Sequence, residues 1–301
     1  PLAQTRLAVS LTNGETHVVD LGRARVFPGP GNVFTTRYSA DGERLLVVPG
    51  TVNRASVFDT SVPGEPGLLA TIEGDEESGF HGVGAISPDG GLVVLARRDG
   101  VVHGFDITGA GEPRRVFSLP VTDQMPEQLA FSPSGGYVVV GGDDQQVHVV
   151  SLVGGEAAVE ASLDGPDNYV LGVAIAPDDS AIAAASLDGS VHRWVRSDQG
   201  WEEVAPIEVG SQLLTVAFHP GGELLAASGT DRIVRVWYVR DPAAPELVEE
   251  LTGPDNEVYQ LGYSVEGELA AASLDQTVTT WSSTGSGAEV RHVKEFVLRP
   301  G

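Results

Sequence analysis

The chain has 301 residues, with 42 acidic against 18 basic side chains, a net charge of −24 and no cysteine. That balance argues against a general binder of nucleic acid or anionic membranes, which needs a dense basic footprint. The absence of thiols excludes disulfides, thiolate catalysis and cysteine-ligated metal centres, while 41 % hydrophobic residues supply a large core.

From the N-terminus, Leu7–Leu11, the pair Asn13-Gly14 and His17–Val19 read as strand, tight turn and strand. A proline or small residue followed by a polar–glycine turn then recurs. It is found as Ala40-Asp41-Gly42, Pro88-Asp89-Gly90, Pro133-Ser134-Gly135, Pro177-Asp178-Asp179, Pro220-Gly221-Gly222 and Val265-Glu266-Gly267. The last residues of these turns lie 48, 45, 44, 43 and 45 apart. After each comes a short apolar run such as Val138-Val139-Val140, then a second polar turn such as Asp99-Gly100, Asp188-Gly189, Asp231-Arg232 or Asp275-Gln276. A third run closes each unit on Phe58, Phe105, Val150, Trp194, Trp237 or Trp281.

Apolar runs this short between Gly/Asp turns are strands, and no amphipathic helix pattern is present. One such unit cannot bury both of its faces, so the units must stack, and radial packing leaves few open edges. With the N-terminal hairpin the count is seven. The expected fold is all-β: a single domain over residues 1–301, a seven-bladed β-propeller of four-stranded antiparallel blades. Residues 1–27 provide the second to fourth strands of one blade, and Val290–Leu298 the last strand of another. One innermost strand is then unaccounted for: either residues upstream of Pro1 supply it, or that blade has three strands. The opening Pro1-Leu2-Ala3-Gln4 is neither an initiator methionine nor a signal peptide, which suits a piece excised from a longer multidomain protein. No apolar run approaches the ~18 residues of a membrane span, and the expected location is cytoplasmic.

The stretch Ala217-Phe218-His219-Pro220-Gly221-Gly222-Glu223-Leu224-Leu225-Ala226-Ala227-Ser228-Gly229-Thr230-Asp231-Arg232-Ile233-Val234-Arg235-Val236-Trp237 resembles the WD40-repeat family. The units ending at Trp194 and Trp281 resemble it nearly as well, and the first four units do so more weakly, with Phe or Val in place of Trp. The segments Asp241-Pro242-Ala243-Ala244-Pro245 and Gly111-Glu112-Pro113 look like those between repeats of large bacterial signalling proteins. Members of the family often carry a Gly-His pair before the first strand of a blade, whose imidazole joins a Ser/Thr, an Asp and a Trp. Here Gly165-Pro166 and Gly253-Pro254 stand in its place. The resemblance therefore implies a reduced network: Ser186, Asp188 and Trp194; Ser228, Asp231 and Trp237; Ser273, Asp275 and Trp281. Asp188 is expected to cap its own turn and Ser186 to serve the neighbouring strand, as structural rather than catalytic groups.

No pattern of chemistry emerges. His17, His103, His148 and His192 each stand two residues before the closing residue of a strand, in the slot filled elsewhere by Ser56, Arg235 and Thr279. A slot used once per blade separates its side chains too far for one ion, so these histidines are expected to be half-exposed strand residues. The acidic stretch Glu73-Gly74-Asp75-Glu76-Glu77 lacks the alternation of a calcium loop and reads as solvated. There is no G-x-S-x-G, and the only lysine, Lys294, lies in no phosphate loop. Gly82-Val83-Gly84 falls in a strand, where small residues permit close packing. No catalytic residue, metal or cofactor is expected.

What remains is surface. Aligned on the repeat, strand starts and second turns place Phe34, Phe80, Arg98, Met125, Tyr169, Leu171, Leu187, Leu214, Tyr259 and Leu274 on one rim. Aromatic and aliphatic anchors in such a ring are what interaction hot spots use; the alternative is that some of them only pack the channel. The expectation is a non-catalytic scaffold or sensor that binds a protein or peptide and regulates a fused or partner effector. A basic partner is favoured by the charge, which plain solubility explains equally well. Two alternatives stay open: a lactonase-like hydrolase at the propeller mouth, and a structural spacer.

Overall fold

The computed structural model describes residues 6–10, 15–20, 23–28, 33–50, 53–62, 67–74, 80–109, 111–283 and 290–297. The chain divides into two compact units, Pro1–Val140 with His148–Glu160, and Gly141–Val147 with Ala161–Gly301.

The first unit opens with a three-stranded antiparallel sheet of β1 (Arg6–Ser10), β2 (Glu15–Asp20) and β3 (Arg23–Pro28). A four-stranded sheet follows: β4 (Val33–Tyr38), β5 (Arg44–Pro49), β6 (Arg54–Asp59) and β7 (Gly67–Glu73). The next is β8 (Phe80–Ile86), β9 (Leu92–Arg97), β10 (Val101–Asp106) and β11 (Arg114–Pro120). The sheet of β12 (Pro126–Phe131), β13 (Tyr137–Gly142), β14 (Val147–Ser151) and β15 (Ala158–Leu163) gives residues to both units.

The second unit continues with β16 (Val170–Ile175), β17 (Ala181–Ser186), β18 (Ser190–Ser197) and β19 (Gly200–Glu208). Then come β20 (Leu213–Phe218), β21 (Leu224–Gly229), β22 (Val234–Tyr238) and β23 (Glu246–Leu251). The last sheet is β24 (Val258–Tyr263), β25 (Leu269–Ser273), β26 (Thr277–Ser283) and β27 (Val290–Val297). Each sheet is a meander in which chain neighbours pair.

The hairpins follow from backbone chemistry at two recurring places. Gly42, Gly90, Gly135, Gly222 and Gly267 close the first turn of their units with φ between 67 and 86°, and Asp179 takes the same left-handed position at 62°. Glycine suffers no Cβ clash there, and a short polar residue is the next best choice. The second turn repeats the device with Gly100, Gln145, Gly189, Arg232 and Gln276, all at positive φ.

Burial then sorts the strands. The second strand of a sheet, as in β9, β17 and β21, is buried along most of its length, whereas outermost strands such as β7, β15 and β23 are largely exposed. In the first unit β4 packs beside β8 and β8 beside β12; in the second, β16 packs beside β20 and β20 beside β24. Val83, Val94, Leu129 and Val140 form part of a core in the first unit, and Ala183, Leu213, Leu225 and Trp237 part of one in the second. Gly84 permits that proximity, since a Cβ there would lie 2.7 Å from Leu95 and 3.1 Å from Val48.

The fold is therefore an all-β propeller of four-stranded antiparallel blades. The expected count of seven is corrected: six sheets have four strands, and β1–β3 form a sheet of three because, among the described residues, β1 pairs with β2 alone. The only helical segment among the described residues is the 3-10 turn Val153–Gly155. No helix there is long and apolar enough to cross a membrane.

Candidate functional site

The first strand of a blade does not pair evenly with the second. In β4, Val33 opposes Pro49 and Thr35 opposes Val48, which leaves Phe34 as an extra residue. The same slip isolates Leu171 in β16, Leu214 in β20 and Tyr259 in β24. A bulge of this kind bends the strand and re-aims one side chain out of the alternation. It recurs at the start of the strand, the end that also carries the second turn of the blade.

Side chains there have different fates. Phe34 is 63 % exposed, Tyr259 53 %, Leu274 47 % and Tyr169 42 %. Arg98 is exposed, and Met125, Leu171 and Leu187 are half-buried. Leu214 is only 6 % exposed, so it packs inside and leaves the expected rim. The side chain of Phe80 lies outside the described residues. Phe34 is not a loose ring: it lies across Gly50, and a Cβ at Gly82 would stand 2.8 Å from the Phe34 Cβ.

In the second unit, backbone bonds staple each strand start to its own second turn. The Leu187 amide donates to the Tyr169 carbonyl at 2.9 Å, Thr230 to Gln212 at 3.0 Å and Leu274 to Glu257 at 3.0 Å. Tyr169 and Leu187 are thus brought together on one blade, and Tyr259 and Leu274 on another. Burial, then the charge and hydrogen bond of Glu257, push the Tyr259 phenol above its ordinary value, so it stays a protonated donor.

Beneath this end lie the polar groups expected as a network. Asp188 Oδ1 accepts the Ser190 amide at 2.8 Å, capping its turn, and Oδ2 accepts the Asp167 amide at 2.9 Å. Ser186 serves the loop before the first strand rather than the neighbouring strand: its hydroxyl donates to the Asn168 carbonyl at 3.2 Å and accepts the Asp188 amide at 3.1 Å. Ser273 and Asp275 repeat these contacts with Asn256 and Asp255. The middle blade departs, since Ser228 donates to Ile233 and Asp231 receives Arg235 at 2.6 Å. Trp194 donates Nε1 to the Asp164 carbonyl at 3.2 Å, not to the Asp or Ser.

The network is less reduced than expected, because His192 Nε2 meets Asp188 Oδ2 at 2.8 Å. An imidazole from β18 thus stands in for the one missing at Gly165-Pro166. Gly165 makes room: a Cβ there would lie 3.1 Å from His192 Nδ1. The signal was available in the coincidence of that Gly-Pro with a histidine two residues before Trp194.

His192 is buried, as are His103 and His148, which corrects the half-exposed expectation; the His17 side chain lies outside the described residues. The third strand of a blade is flanked by strands on both sides and by packed faces, so its alternate positions are not solvent positions. His103 Nδ1 sits 2.7 Å from Ser118 Oγ on the adjacent strand. Burial raises the Asp188 carboxyl, but the bonds from Asp167, His192 and Ser190 outweigh it and hold the group below its ordinary value. Asp231 and Asp275 end below theirs by the same balance of burial against hydrogen bonds. Among the described residues no three His, Asp or Glu side chains converge as metal ligands. Of the acidic stretch Glu73–Glu77, residues 75–77 lie outside the described residues.

Repeated four-stranded antiparallel blades with Asp-capped second turns define the class, an all-β propeller. Residues 115–151, 158–194 and 208–238 match the family "WD domain, G-beta repeat" (WD40), which supports the WD40-repeat family for this chain. WD repeat-containing protein 1-B of Xenopus laevis is 29 % identical over 177 residues, 58 % of this chain and 28 % of that protein. Actin-interacting protein 1-2 of Arabidopsis thaliana is 26 % identical over 159 residues, 52 % of this chain and 26 % of that protein. The chain thus spans less than a third of the length of these curated relatives. Among solved structures, a chain of the mitotic checkpoint complex superposes with a TM-score of 0.77 at 18 % identity, over 92 % of this chain and 83 % of that one, a likeness of fold. The family model and the Xenopus relative carry the WD-repeat name.

Proposed function

We propose that the chain is a non-catalytic module that recognises a protein partner with the bulged ends of its blades. One observation carries this reading: Tyr169, Tyr259 and Leu274 of the second unit are each more than two-fifths exposed while backbone bonds hold their segments in place. Large apolar groups presented on rigid backbone bind at low entropic cost, as hot spots do. Asp167, Asp255 and Glu257 flank them, which supports a basic partner segment. The Arabidopsis relative is named for interaction with actin, so actin is the first partner to test.

The chain is one WD40-type propeller domain of six four-stranded blades, with β1–β3 as an additional three-stranded sheet. It acts in the cytoplasm as a scaffold or sensor within a longer protein, and biases a fused or partner effector through differential affinity. The resemblance of its inter-blade segments to bacterial signalling repeats supports that placement. The test compares the wild-type chain with a Tyr169→Ala, Tyr259→Ala, Leu274→Ala variant in co-sedimentation with filamentous actin and in capture of partners, each then reconstituted from purified protein. A reconstituted partner that binds the wild type and is lost by the folded variant is the expected result. Equal binding by both overturns the reading.

A further inference from the structure

The opposite end of the blades, where the first turns lie, carries a feature that the rim does not account for. Between the sheets β8–β11 and β12–β15, and wholly within the first unit, is a cleft of about 620 Å³. Its size falls in the range of ligand-binding cavities, roughly 300–1,000 Å³.

Leu92, Phe117 and Leu152 line the cleft and pack from behind on the core of the unit, which makes its floor apolar and supported. Phe117 is seated there by Gly104, whose missing side chain leaves the ring room to lie against β10. The rim is acidic. Asp106 is already committed, its Oδ1 accepting the Thr108 amide and hydroxyl and its Oδ2 the Arg114 guanidinium at 3.1 Å. Asp89 spends only Oδ1, on the Ser87 hydroxyl and the Gly91 amide. Among the described residues neither Asp89 nor Glu156 forms an ion pair: Arg44, bonded to the Gly90 carbonyl, acts on Asp89 only through its charge, and Arg114, the arginine that lines the cleft, is paired with Asp106.

We infer that this cleft is a second binding site, for a linear peptide that presents an arginine or lysine side chain between aliphatic residues. The cation meets Asp89 Oδ2 and Glu156, and the aliphatic neighbours cover Leu92, Phe117 and Leu152. The net charge of −24 steers such a segment toward the molecule. The site is independent of the bulged rim and places a second contact on the other end of the blades.

The test is a nuclear magnetic resonance titration of the whole 15N-labelled chain with an acetylated, amidated Leu-Arg-Leu peptide. Parallel titrations use the Leu-Gln-Leu analogue and butylguanidinium. Saturable shifts of the Gly91, Gly135 and Gly155 amides are expected with the arginine peptide, and binding about fivefold weaker with the glutamine analogue. The pair Asp89→Asn and Glu156→Gln keeps the acceptor of the turn, and is expected to weaken the arginine peptide by a similar factor and to flatten its salt dependence. The spectrum of each variant reports its own folding. Absence of saturable shifts at these amides, or unchanged affinity in the double variant, overturns the assignment. Butylguanidinium binding as tightly as the peptide overturns the role of the apolar floor. Shifts confined to Tyr169, Tyr259 and Leu274 overturn it while leaving the rim reading intact.

Discussion

Replacing Asp188 by alanine removes the acceptor for the Ser190 amide, the Asp167 amide and His192 Nε2, at 2.8, 2.9 and 2.8 Å. Asp167 is exposed, so water takes over for its amide at little cost. The other two donors sit where solvent hardly reaches: the side chains of Asp188 and His192 are 13 % and 7 % exposed. His192 Nδ1 is already buried without a partner, so losing Asp188 strands both ring nitrogens. With each lost bond to a carboxylate costing ~1.5 kcal/mol or more, Asp188→Ala is expected to destabilise by about 3 kcal/mol. Asp188→Asn retains one acceptor and is expected to lose about half of that. In a double-mutant cycle with His192→Ala, the two changes are expected to couple by about 1 kcal/mol, because they remove the same bond. The assay is urea unfolding followed by tryptophan fluorescence, since Trp194 and Trp281 are buried. A loss below ~0.5 kcal/mol for Asp188→Ala, or strict additivity with His192→Ala, would refute the claim that the imidazole substitutes for the missing family histidine.

Gly229→Ala is expected to cost about 3 kcal/mol, because its Cβ would overlap the carbonyl oxygen of Gln212, the residue just before the paired strand β20, whereas Gly67→Ala meets nothing within 4 Å and should stay within ~0.5 kcal/mol. Equal melting temperatures for the two would contradict that geometry. Arg193, buried on β18, donates Nη2 to the carbonyls of Ala205 and Pro242 at 2.7 Å each. Arg193→Met should cost about 2 kcal/mol by leaving both unpaired, and thermal unfolding checks it. Asp89, Asp178, Asp188, Asp231 and Asp275 all titrate below the free carboxylate in the folded chain. Their contribution to stability is therefore full above about pH 4 and is lost as the pH falls through the folded values. Burial, opposed more weakly by Glu223, lowers the His219 imidazole, so a separate decline begins as pH falls below about 6.5. Denaturant midpoints measured from pH 7 to pH 3 should show both steps, and His219→Asn should erase the upper one.

The two turns of each unit were legible because left-handed backbone restricts residue choice. Gly42, Gly90, Gly135, Gly222 and Gly267 mark one position, and Asp179 shows that a short polar residue also satisfies it. The exposed rim was legible at Phe34, Tyr169, Tyr259 and Leu274 because a fixed offset from those turns locates the strand start. It failed at Leu214, since an offset gives the slot but not the neighbours that cover it. The histidines were misread because the third strand of a blade is buried on both faces, where alternation carries no signal for solvent. Nor could the cleft beside Asp89 and Leu152 be read, because it belongs to two sheets whose facing turns are 45 residues apart in sequence.

The bulges at Phe34, Leu171, Leu214 and Tyr259 leave one residue per strand outside the pairing ladder. Register on either side is set by other residues, so the exposed members, Phe34 and Tyr259, are letters that can be rewritten without disturbing the grammar of the sheets, whereas Leu214 is spelled by the core it fills. Those two letters stand on a frame whose pairing is written elsewhere. A change of partner then requires no new fold, only a new word.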